Sequence, residues 1–153
     1  SVAVDGFKVA NYMKEKYTQY FETLLETPVK FVNRDYTSNA IRVMHKPLFS
    51  LDHNNDFNDI RFSVAYMGVM DCDPDQMDKF YEAYRKLIAL LHDPMFEINF
   101  RLKAGDIFSF NNRRVLHGRT EFDPNSGERH LQGYYIDRDE IIGRLNFLKK
   151  VDS

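Results

Sequence analysis

Phe96-Glu97-Ile98-Asn99-Phe100-Arg101-Leu102-Lys103 alternates apolar and polar residues without a break. Period two puts Phe96, Ile98, Phe100 and Leu102 on one side of an extended backbone, which predicts a half-buried strand. Ala104-Gly105-Asp106 follows as a turn. Residues 107–110 read as a second strand, Val115–Gly118 as a third and 129–136 as a fourth. Between the last two, Asp123-Pro124-Asn125-Ser126-Gly127 has the composition of a tight turn. The second half of the chain therefore reads as an antiparallel meander. Asp137-x-x-Glu140 opens like a capping box, and Ile141, Ile142, Leu145 and Leu148 lay out a closing amphipathic helix.

Upstream of the alternation lies a long helical pattern. Asp73-Pro74 supplies an N-cap residue and a proline at the first helical position. Met77, Phe80, Tyr81, Tyr84, Leu87, Ile88 and Leu91 follow as one stripe, and His92-Asp93-Pro94 ends it. Residues 60–67 read as strand, and 52–56 as a polar turn. Pro47 demotes 41–51 to an edge strand or a strand and turn. Residues 29–32 form a short strand. After Asp5-Gly6, the apolar residues Phe7, Ala10, Tyr17, Phe21, Leu24 and Leu25 predict one or two helices ending before Pro28. The expected class is mainly β with flanking helices: a sandwich or barrel with a pocket between its faces, open at one end.

Composition excludes several kinds of protein. With 43% hydrophobic and 29% charged residues the chain is neither disordered nor membrane-spanning. A net charge of −2 argues against a nucleic-acid surface, and Arg113-Arg114 and Lys149-Lys150 read as solvated patches. Cys72 is the single cysteine, so no internal disulfide forms and a reducing, intracellular setting is favoured, cytoplasmic before mitochondrial. Flanked by Asp71 and Asp73, Cys72 is a poor nucleophile. Ser1-Val2-Ala3-Val4-Asp5 is no signal or transit peptide and has no initiator Met, which suggests a beginning within a longer protein.

Of the five histidines, His45, His53 and His92 lie in turn-like polar contexts typical of surface residues, and His130 follows Arg129 in the fourth strand. His117 sits late in a strand-like run and is followed by Gly118, which permits close backbone approach. Arg129 lies twelve residues on, past a turn. In a hairpin of this kind the two side chains face one cavity. Imidazole suits a ferrous ion, and a guanidinium holds a carboxylate bidentately. Alternation groups Arg129, Leu131, Gly133 and Tyr135 on one face. The plain alternative for Tyr135 is an ordinary core tyrosine.

Residues 104–119, Ala-Gly-Asp-Ile-Phe-Ser-Phe-Asn-Asn-Arg-Arg-Val-Leu-His-Gly-Arg, resemble the distal-histidine segment of the taurine-dioxygenase-like superfamily. More narrowly they are similar to the gamma-butyrobetaine and trimethyllysine dioxygenase family. Arg129-His130-Leu131-Gln132-Gly133-Tyr134-Tyr135 matches the following strand, and residues 137–145 the terminal helix. Val4-Asp5-Gly6-Phe7 and the helix containing Phe80-Tyr81 match as well. The resemblance implies that residues 1–153 are the C-terminal portion of one catalytic domain, part of a double-stranded β-helix (jelly roll). It implies an enzyme using Fe(II) and 2-oxoglutarate, with ascorbate as a candidate addition, to hydroxylate a small trimethylammonium substrate. Gamma-butyrobetaine is favoured over trimethyllysine. It makes His117 the distal iron ligand, Arg129 the anchor for the distal carboxylate of 2-oxoglutarate, and Tyr135 a wall of the substrate's aromatic cage. Ring faces suit a quaternary ammonium, which cannot donate hydrogen bonds. No nucleic-acid or membrane partner is implied, and a homodimer is a candidate assembly.

Two departures stand out. The family's Asn-Trp-Arg is Asn112-Arg113-Arg114, which changes local packing. No histidine is followed two places later by Asp or Glu, so the proximal ligand pair is absent and the chain by itself is expected to be inactive. A non-catalytic binding or oligomerisation module, and a small-ligand β-barrel, are the rival readings.

Overall fold

In the computed structural model, residues 1–70, 72–121, 125 and 130–151 are described. Contacts divide the chain into Ser1–Thr120 and Glu121–Ser153. The first unit runs β1 (Val2–Asp5), α1 (Gly6–Lys16), α2 (Thr18–Glu26), β2 (Val29–Asp35), β3 (Ala40–Lys46), β4 (Phe49–Leu51), β5 (Phe57–Ile60), α3 (Pro74–Leu91), β6 (Glu97–Asn99) and β7 (Val115–Gly118). The second contains α4 (Arg138–Val151).

α1 begins where it does because Asp5 caps it. The Asp5 carboxylate accepts from the backbone N–H groups of Phe7 (3.1 Å) and Lys8 (3.4 Å), satisfying two donors that a helix start otherwise leaves bare. α1 buries Val9, Ala10 and Met13 on one face, and α2 buries Phe21 and Leu24. α3 starts at Pro74 and buries Phe80, Ala83, Leu87, Leu90 and Leu91. The expected Asp73 cap is only positional, since its side chain takes no capping bond. These faces meet Val29, Leu48, Phe49 and Ile60 in one apolar cluster. Each fully buried Leu or Phe there contributes about 1.5–3 kcal/mol relative to exposure.

The sheets are small and antiparallel. β2 pairs with β3 from Val29↔Lys46 to Asp35↔Ala40, and β4 pairs with β5 through a register shift at Ser50/Leu51. The third sheet has the order β6-β1-β7. Its register sets Ala3 opposite both Ile98 and His117, and Val4 opposite both Glu97 and Leu116.

Several expectations are corrected. Among the described residues helix outweighs strand, so the chain is mixed α and β with no closed barrel rather than mainly β. The meander is replaced by a sheet whose central strand is the N-terminal segment. β1 offers two edges, and β6 and β7 occupy both, a long-range pairing that local periodicity does not report. Residues 107–110 form no strand; the rings of Phe108 and Phe110 meet at a tilt instead, and Ile107 is 92% exposed. β6 spans three residues, and of the alternating set Phe96 is buried while Ile98 is exposed. The strand expected over 60–67 ends at Ile60, and 130–136 take no strand conformation. The turn at 123–127 lies outside the described residues apart from Asn125.

α4 forms as its pattern requires, with the Asp139 N–H bonded to Asp137 at 3.1 Å. Ile141, Ile142, Leu145 and Leu148 remain exposed. No helix among the described residues is long and apolar enough to cross a membrane.

Candidate functional site

β7 carries His117, and its pairing to β1 decides where the imidazole points. Residues directly opposite in an antiparallel pair share a face. Val4 and Leu116 share the face that joins the helical core. Ala3, Ile98 and His117 share the other. His117 is exposed, and among the described residues nothing hydrogen-bonds its ring nitrogens. Its ring lies against Phe110, with centroids 4.5 Å apart at 54°. Phe110 continues to Phe108 at 4.8 Å and Phe108 to Phe100 at 4.7 Å.

The base of β7 is tied down at the end away from His117. Arg114 grips the Asp5 carboxylate with two bonds, Nε to Oδ1 at 3.0 Å and Nη2 to Oδ2 at 2.6 Å. The bidentate fork is the strong form of this pair. Its hydrogen bond, aided by the guanidinium charge and the α1 amides, holds the Asp5 carboxyl below its ordinary range against the opposing effect of burial. The same bond raises Arg114. The Gly6 N–H donates to the Arg114 carbonyl at 2.9 Å, and the Ile60 N–H to the Arg113 carbonyl at 2.9 Å. A Cβ on Gly6 would meet the Arg114 carbonyl at 2.8 Å and Ile60 at 2.7 Å, so only glycine fits there. One side chain thus caps α1 and fixes the turn entering β7.

The sequence-predicted residues fare differently. His117 is accessible on a strand that forms as expected, with the bounds Val115–Gly118. Arg129 lies outside the described residues. Tyr135 belongs to the second unit and is 87% exposed. The described residues 130–136 are not extended as a ladder strand, so alternation does not assign Leu131, Gly133 and Tyr135 to one face. Sequence reading missed the strand character of Val2–Asp5, the Asp5–Arg114 pair and the Phe110–His117 contact. The short apolar run Val2-Ala3-Val4 was the available signal for the first; the other two join residues through the fold or a turn and have no local signature.

As a metal donor, His117 fits one position: an accessible imidazole without a competing hydrogen bond among the described residues. Among the described residues no three His, Cys, Asp or Glu side chains converge to hold an ion. The described chain therefore provides one donor and not a complete set.

The site and sheet have the company of a known enzyme class. Residues 1–135 match the model described as taurine catabolism dioxygenase TauD, TfdA family, and the chain belongs to that family. Gamma-butyrobetaine dioxygenase of Pseudomonas sp. (strain AK-1) is 38% identical over 150 residues, 98% of this chain and 39% of that protein. Trimethyllysine dioxygenase of Meyerozyma guilliermondii is 32% identical over 148 residues, 95% of this chain and 36% of that one. Human gamma-butyrobetaine dioxygenase is 30% identical over 154 residues, covering 98% and 40%. The chain spans about two fifths of the length of these relatives.

Proposed function

We propose that this chain is the part of an Fe(II)/2-oxoglutarate-dependent hydroxylase that supplies one iron ligand, His117, and the co-substrate anchor, Arg129. The observation that carries the reading is an accessible imidazole, turned away from the apolar core, on a strand of a TauD-family chain. Bound iron and 2-oxoglutarate would supply the oxidation of an unactivated C–H bond by dioxygen. Arg129 has the planar fork that a carboxylate needs. Tyr135 offers a ring face to a trimethylammonium group, worth about 0.5–2 kcal/mol. Gamma-butyrobetaine is the favoured substrate and trimethyllysine the alternative, in keeping with the names of the similar proteins.

The test is 2-oxoglutarate decarboxylation by the whole gene product, with gamma-butyrobetaine and trimethyllysine side by side. His117→Ala should abolish turnover. Arg129→Lys should raise the 2-oxoglutarate requirement, because lysine keeps the charge and loses the fork. Full turnover by His117→Ala removes the metal assignment, and an unchanged 2-oxoglutarate requirement removes the anchor.

The second reading is a non-catalytic family member acting as a binding or oligomerisation module, motivated by the absence of a His-x-Asp/Glu pair from these 153 residues. It predicts binding of a trimethylammonium ligand with no dependence on iron or 2-oxoglutarate.

A further inference from the structure

We propose that Phe110 is a positioning residue for His117, its ring setting the plane of the imidazole. The inference rests on the reading of His117 as a metal ligand. A ligating histidine ordinarily donates its second ring N–H to a carboxylate or carbonyl, and that bond fixes the ring's orientation. His117 has no such partner among the described residues. It stands exposed on β7, where a strand leaves more than one χ1 rotamer open. An imidazole free to turn holds an ion weakly, because part of each binding event is spent restraining it.

The Phe110 ring supplies the restraint. It lies 4.5 Å from the imidazole centroid at 54°, within the range of tilted aromatic contacts. Phe110 is itself braced. Phe108 tilts against it at 4.8 Å and 35°, and Phe100 tilts against Phe108 at 4.7 Å and 59°. Phe100 is held to the edge of β1 by its N–H, which donates to the Ser1 carbonyl at 3.0 Å. The turn between Phe110 and β7 is closed by three bonds at Asn111. Its carbonyl accepts from Arg114 and Val115 at 2.9 Å each, and its side chain accepts from Arg113 at 3.0 Å. That turn carries the chain from Phe110 into β7 within a few residues. The stack is thus a chain of rings running from the sheet edge to the imidazole.

The competing account is plain apolar cover, in which any side chain of similar size serves. Phe110→Leu and Phe110→Tyr separate the two. In the 153-residue chain, the His117 ring protons should carry the upfield shift of a neighbouring aromatic face. Phe110→Leu should remove that shift, Phe110→Tyr should keep it, and amide resonances of the helical core report that both variants are folded. In the whole gene product, with Co²⁺ alone as the probe, Phe110→Leu should weaken binding about tenfold, as loss of an orienting partner does, and Phe110→Tyr should restore it. Unchanged His117 shifts in Phe110→Leu overturn the proposal. So does unchanged Co²⁺ affinity in Phe110→Leu when His117→Ala loses it. If His117→Ala binds Co²⁺ as tightly as the parent, the ligand reading itself falls and takes this role of the ring with it; the proton shifts still show whether the contact exists.

Discussion

Asp5 joins a helix start and a distant strand through one side chain. Its Oδ1 caps α1 and both its oxygens receive the Arg114 fork, so the helix start and the entry to β7 share one charge. Asp5→Asn keeps an acceptor for the cap and removes the ion pair. Both partners are partly exposed (33% for Asp5 and 52% for Arg114), so solvent screens the pair and its loss costs about 0.5–1 kcal/mol at neutral pH. The pH dependence has a definite sign. The folded carboxyl titrates below the unfolded one, so between the two values the unfolded chain binds more protons and stability rises with pH. The contribution is complete above the unfolded value of about 3.9 and disappears as pH falls through the lower folded value. Urea midpoints of the parent and Asp5→Asn should therefore separate at pH 7 and converge in strong acid. A gap that persists in acid assigns the effect to something other than this pair.

At the scale of elements, the junction of β1, α1 and β7 is closed by backbone contact. Gly6 allows α1 to turn off β1 directly against the Arg114 carbonyl. A methyl group at Gly6 meets backbone, which cannot swing aside, so Gly6→Ala is expected to destabilise by about 1–3 kcal/mol. Gly118 makes the useful contrast. A Cβ there meets only the Val2 side chain at 3.2 Å, which can shift by a few tenths of an ångström. Gly118→Ala should cost less than Gly6→Ala, measured by urea unfolding under the same conditions. Equal losses would mean that the α1–β7 approach is not the tight point. α3 and α4 were legible from their 3.6-residue spacing, and α1 and α2 as one helical stretch whose division at Tyr17 the spacing leaves open, because a helix satisfies its backbone within its own segment. Strands were legible only where the partner did not matter. β7 came out with its full bounds, whereas the period-two run at 96–103 yielded three residues of ladder, since strand length depends on the neighbour available.

At the scale of the molecule, the three-stranded sheet has one face on the helical core and one carrying His117. Ile98 on that second face is 61% exposed, and Phe108 of the adjoining ring stack is 40% exposed. Among the described residues His117 has no two further ligands beside it, and one imidazole is a weak site for a ferrous ion. The 153-residue polypeptide on its own is therefore expected to retain no stoichiometric iron after purification with added Fe(II), measured by elemental analysis under anaerobic conditions. Stoichiometric iron that disappears in His117→Ala would show that the chain completes a site by itself.

The residues alone determined the helices, the turn at Gly105, the strand around His117 and the family to which the motif at 104–119 points. These rest on local spacing, on caps and on side-chain chemistry, all of which are written within a few positions of one another. Tertiary structure decided that Val2–Asp5 is the central strand, which face His117 occupies, and which ring lies against it. Pairing Ala3 with His117 joins residues 114 positions apart, and no local pattern selects one partner strand over another at that distance. His117 could be named from the sequence; its exposure and its contact with Phe110 follow only from the sheet.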